Sequence, residues 1–90
     1  MTYATITEFD IDWDGHVQID EAIGAGPFEG LQLHASGPCE GGVRVIDIWD
    51  SKEHAQRFFA EQIAPALASL GIEGGPPRSF TEFHVEIVRT

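Results

Sequence analysis

Residues 30–36 (GLQLHAS) alternate, with Leu31, Leu33 and Ala35 on one side and Gln32, His34 and Ser36 on the other. That period of two is the mark of a half-buried strand. Residues 2–9 (TYATITEF) form a second such segment, β-branched and aromatic, with Tyr3, Thr5, Thr7 and Phe9 sharing a face. Residues 43–50 (VRVIDIWD) read as a buried strand from Val43, Val45, Ile46, Ile48 and Trp49, with Asp47 interrupting the run from Val45 to Trp49. A last strand is expected over residues 79–88, with Phe80, Glu82, His84, Glu86 and Val88 alternating against Thr81, Phe83, Val85 and Ile87.

The intervening segments switch to the helical period. Ala55, Phe58, Phe59, Ile63, Ala66, Leu67 and Leu70 recur at three and four, whereas Lys52, Glu53, Gln56, Arg57 and Glu61 face elsewhere. Asp50 or Ser51 can cap this helix, and with Asp50 as the cap Glu53 completes a capping box. Pro65, having no N–H for the carbonyl of Glu61, should bend or restart it, and Gly71 should end it. A weaker pattern, Trp13, Val17, Ala22 and Ile23, predicts a first helix from a cap at Asp12 or Asp14 to about Ile23. Gly37, Pro38, Gly41 and Gly42 predict a tight connection between antiparallel strands.

The order is strand, helix, strand, strand, helix, strand, the α+β ferredoxin-like βαββαβ arrangement with a four-stranded antiparallel sheet. All 90 residues form one domain. Both helices should cover one sheet face, and the apolar residues on the other predict that two sheets meet. A chain this short gains core from a second copy, so a homodimer is expected.

In residues, the chain is similar to a known group. The run IDIWDSKEHAQRFF resembles the strand-ending tryptophan, acid, serine and helix of the dimeric α/β-barrel superfamily, which includes antibiotic biosynthesis monooxygenases, haem-degrading monooxygenases and some polyketide cyclases. The stretches PFEGLQLHASGPCEGGVRVIDIWDS and PPR…FHVEIV resemble short bacterial members of it. The resemblance implies a dimeric α/β barrel with a pocket between sheet and helices. It also implies cofactor-independent chemistry, as a monooxygenase or cyclase, on a small aromatic or polyketide-derived molecule. The histidine that these enzymes carry early in the helix is absent, its place falling at Arg57, Phe58 and Phe59, and the chain has no asparagine. No haem or other cofactor is therefore expected.

Charge narrows the partners. Fifteen acids against five bases give a net charge of −10, which disfavours nucleic acid and anionic membrane. No apolar run approaches the ~20 residues of a membrane span. The N-terminus lacks the basic start and apolar stretch of a signal peptide, so a cytoplasmic protein is expected. Cys39 stands alone in a glycine-rich turn with no histidine within four residues, and no metal site has compact ligand spacing.

Candidate chemistry rests on strand register. If Gln32 and His34, Asp47 and Trp49, and Glu82, His84 and Glu86 line one surface, an imidazole beside a carboxylate becomes a general base for an acidic carbon or a phenol. His84 is the candidate base, with His34 as a second donor or acceptor and Asp47 as an acid partner. Thr5, Thr7 and Gln32 would orient a substrate oxygen, and Trp49, Phe58 and Phe59 would supply flat walls. A small hydrophobic or aromatic molecule is the expected ligand. The alternative is a noncatalytic small-ligand-binding or structural homodimer, in which these histidines only satisfy neighbouring acids. An enzyme should show His34 or His84 bordering an accessible cavity. His16 and Asp20, four apart on the first helix, read as a solvated face.

Overall fold

In this computed structural model, which describes residues 1–89, strand β1 (Tyr3–Phe9) is central and is paired along both edges. One neighbour is β3 (Gly42–Trp49) and the other is β4 (Ser79–His84), while β2 (Leu31–Cys39) lies outside β3. The order β2-β3-β1-β4, antiparallel throughout, is the ferredoxin-like sheet expected from the element order.

Helix α1 (Trp13–Ile23) starts at Asp12, whose carboxylate accepts from the Gly15 N–H at 2.7 Å. Helix α2 (Lys52–Phe58) starts at Ser51, whose hydroxyl accepts from the His54 N–H, so Ser51 rather than Asp50 is the cap. Asp50 instead accepts from the Gln32 amide at 2.7 Å. A π-helical segment, Phe59–Ile63, then leads into α3 (Ala64–Leu70), which has Pro65 in its first turn and ends at left-handed Gly71, φ 68°. The Ala64 N–H bonds to the Phe59 carbonyl, five residues back. A proline in the first turn of a new helix needs no N–H, which is how the chain accommodates Pro65. The expected single apolar face is therefore broken: Phe59 is 57% and Leu70 37% exposed.

Two strand boundaries move. Strand β2 continues through Pro38 to Cys39 and turns at Glu40 and Gly41, because β2 is an edge strand and tolerates a residue with no N–H. Strand β4 stops at His84, four residues short of the expected end, because its partner runs out: His84 pairs with Tyr3, and Val85 N–H reaches Thr2 carbonyl. Glu86 and Val88 are thus outside the sheet.

The helices pack on one face of the sheet, α1 and α2 against β3 and α1 against α3. On that face Tyr3, Thr5 and Thr7 lie beside Trp49 and Val45 with Val43 at the end of β3, all buried, and Ala66 of α3 is buried as well. The opposite face carries Ala4, Ile6, Leu33, Ala35, Ile46, Ile48 and Phe83, and no helix covers it. Among the described residues no helix is long and apolar enough to cross a membrane.

Arg78, just before β4, fastens this sheet at one end. It donates to Glu8 at 2.8 Å, to Asp10 at 3.2 Å and to the carbonyls of Glu40 and Gly41 in the β2–β3 turn. At the same end Gly42 lies so close to the Phe9 carbonyl oxygen that a Cβ there would collide with it. Gly42→Ala should therefore separate β1 from β3 and cost on the order of 2–3 kcal/mol, measurable as a lower denaturation midpoint in urea.

Candidate functional site

Register answers the grouping that sequence alone left open. Thr5 stands between Asp47 and Glu82, Tyr3 between Trp49 and His84, and His34 opposite Asp47. Thr5, Thr7, His34, Asp47, Trp49, Glu82 and His84 therefore share the helix-covered face, as the alternation predicted. Gln32 departs from the set. A bulge between Leu31 and Leu33 leaves it without a partner in the ladder, and its amide is held by Asp50. Glu86 lies past the end of β4.

The shared face does not make one site. His34 is on β2 and His84 on β4, so two strands separate them, a span of about 14 Å at ordinary strand spacing. His34 has its acid: Nδ1 lies 2.5 Å from a carboxylate oxygen of Asp47, with side chains 38% and 19% exposed. His84 has none among the described residues; its ring leans on Tyr3 with centroids 6.3 Å apart. The nearby carboxylate, Glu82, instead takes Lys52 at 3.1 Å, and the same ammonium stands over the Tyr3 ring. The expected base at His84 thus lacks an orienting partner, while the expected auxiliary His34 has one.

The aromatic wall also divides. Phe58 fits between Trp49, 5.1 Å away, and Phe28, 4.9 Å away edge to face, so these rings pack together. Phe59, one residue on, projects from the π segment into solvent. Thr5 and Thr7 are buried in the sheet.

His16 enters the site unannounced. Its ring lies on α1, 5.3 Å from that of Trp13, and Nε2 is buried with no hydrogen-bond partner, the one such side-chain atom among the described residues. Its charged neighbours are Asp20 on its own helix and His34 and Asp47 from the sheet. The reading of His16 and Asp20 as a solvated face is therefore corrected for His16. The available signal was its spacing alone, one turn after Trp13 on the same helix.

Burial and charge pull the two histidines apart. The Asp47 carboxylate, through its hydrogen bond, raises the pKa of His34 above the usual 6.5, while desolvation lowers that of His16 below it. The consequences for folding have opposite sign. The His34–Asp47 pair adds stability that is complete below the unfolded value near 6.5 and is lost as pH rises through the higher folded value. Neutral His16 contributes stability that is present above 6.5 and lost as pH falls through its lowered value.

Two open clefts lie on the described surface. One lies between residues 27–29 and α2, lined by Phe28, Glu29, His54, Arg57 and Phe58. The other surrounds Arg78, Cys39 and Glu8. Neither His34 nor His84 borders them. Among the described residues no group of three or more His, Cys, Asp or Glu could hold a metal ion.

The same fold is found in solved structures of low sequence identity. A solved structure from Chloroflexus aurantiacus J-10-fl, whose assignment as an antibiotic biosynthesis monooxygenase is itself provisional, superposes with a TM-score of 0.77 at 12% identity, covering 100% of this chain and 98% of that one. The protein YJCS superposes at 0.71 with 12% identity, covering 96% of this chain and all of that one. No protein-family model matches the sequence, nor does any curated protein. At that identity the likeness establishes the architecture alone.

Proton titration followed on the histidine ring signals should place the midpoint of His34 above 6.5 and that of His16 below it. Asp47→Asn should bring His34 down towards the ordinary value; a midpoint unchanged by that substitution would show that Asp47 does not hold the ring.

Proposed function

We propose that this chain works as a homodimer whose two sheets meet through their uncovered faces, each subunit holding a small hydrophobic or aromatic molecule beside His34. The uncovered sheet face carries this reading. Leu33, Ile46 and Phe83 are 44%, 39% and 49% exposed on it. The charged side chains at its edge, Glu8 and Arg44, pair with each other at 3.0 Å. A monomer of this mass ordinarily exposes about 5,200 Å², whereas the chain exposes 6048 Å². The excess is close to the ~800 Å² that each partner buries in a standard interface. A second copy fits it, since an uncharged face can be self-complementary about a two-fold axis.

A catalytic reading has its own support in the His34–Asp47 pair. His34 would take a proton from an acidic carbon or a phenol at its free ring nitrogen, and Asp47 would hold the ring and stabilise the imidazolium. That is the chemistry of a cofactor-independent monooxygenase or cyclase, and the activity assigned to the Chloroflexus protein is consistent with it. Against it stand the absence of His34 and His84 from the two clefts and the missing helix histidine.

Light scattering on the purified protein should give twice the chain mass, and Ile46→Asp with Phe83→Asp should give a folded monomer. A monomeric native chain would refute the homodimer. Oxygen uptake or product formation with a panel of quinols and polyketide-like phenols, lost in His34→Ala, would establish the catalytic reading; binding without turnover would leave the noncatalytic one.

A further inference from the structure

We infer that the cleft between residues 27–29 and α2 is a second binding site, one that takes a small zwitterion, an α-amino acid with an apolar side chain. It is separate from the place proposed beside His34, which does not border it. The cleft offers about 220 Å³, less than the ~300–1,000 Å³ of sites for drug-sized ligands. Its occupant is therefore small.

The lining divides by chemistry. Phe28 and Phe58 meet edge to face at 4.9 Å and give an apolar wall for a side chain. Arg57 spends one N–H on Glu29 at 3.2 Å, and among the described residues the rest of its guanidinium has no partner. A planar fork of donors suits a carboxylate. His54 stands beside it with its ring held: the Ser51 hydroxyl lies 2.6 Å from Nδ1, a Cβ at Gly30 would strike the ring, and Nε2 is 3.8 Å from Glu29. The opposite charge comes from Glu29 and from Glu61, which makes no ion pair among the described residues.

Both signs decide the ligand. Glu29 and Glu61 against Arg57 leave the lining acidic, and the chain carries −10, so a plain anion is opposed. A plain cation would leave the Arg57 donors unused and stand beside a like charge. A zwitterion gives its carboxylate to Arg57 and His54, its ammonium to Glu29 and Glu61, and its side chain to the two rings. It brings no net charge for the acidic chain to repel.

The test follows the backbone amide signals of the 15N-labelled full chain during titration with L-phenylalanine, phenylacetate or phenethylamine. Phenylalanine should move the signals of Phe28, Glu29, His54 and Arg57 along one saturating curve. Each single-charge analogue should bind about tenfold more weakly, the worth of one charge-assisted hydrogen bond. Arg57→Gln should weaken phenylalanine and phenylacetate about tenfold with phenethylamine no weaker, and Glu29→Gln should weaken phenylalanine and phenethylamine with phenylacetate no weaker. Their side chains are 48% and 76% exposed, so the thermal midpoint should be retained in both variants. Phenylacetate or phenethylamine binding as tightly as phenylalanine overturns the inference, as does phenylalanine binding that survives both substitutions. Signals that stay still, or that move only around His34, overturn it as well. None of these outcomes touches the homodimer or the molecule beside His34.

Discussion

The register between β1 and β3 is the constraint from which the rest follows. Setting Tyr3 opposite Trp49 and Thr5 opposite Asp47 sends every second residue of the two central strands to the helices and the others to the uncovered face. A slip of one residue would turn Val43, Val45 and Trp49 outward and bring Arg44, Ile46 and Ile48 under the helices. Full burial of a single valine side chain contributes roughly 1.5–3 kcal/mol, and Val43 is wholly buried, so such a slip would cost more than a chain of this size can lose. The outer strands take their alignment from this pair. His34 reaches Asp47 only because β2 is aligned on β3, and β4 ends where β1 offers no further partner.

Most of the fold was legible because the segments obey one period at a time. The alternation in residues 30–36 and 2–9 identified the strands and, more usefully, the face that His34, Thr5 and Thr7 share. The helix over residues 52–70 was legible in extent but not in phase, since a π segment leaves no separate trace in apolar spacing. The glycines and proline at positions 37–42 read as the tight connection itself because their turn propensity is strong; the edge strand tolerates Gly37 and Pro38, and only Glu40 and Gly41 turn.

The candidate site was half legible. A face can be read from alternation, but position along and across the sheet cannot, so His84 and His34 entered as equals although the strand order keeps them apart. Gln32 was lost to a bulge, which shifts one residue without changing composition. His16 was missed for another reason: a weakly amphipathic helix does not declare which flank meets the sheet, and burial of a single nitrogen is a tertiary fact. Asp47, an acid between the two isoleucines of β3, was the most informative single position, because a carboxylate there needs a partner and the structure supplies His34.

The π segment before Pro65 also settles the angular bookkeeping of the long helix. Eight residues separate Phe58, which packs on Trp49, from Ala66, which is buried against the rest of the core. In an unbroken α-helix they would differ in direction by about 80°, eight steps of 100° less two full turns. One extra residue absorbed by a π turn brings that difference down to about 20°. The wider turn thus acts as a phase corrector, letting a helix with a proline in its middle keep Phe58 and Ala66 on nearly the same side, while Phe59, within the segment that absorbs the extra residue, lies on the solvent side.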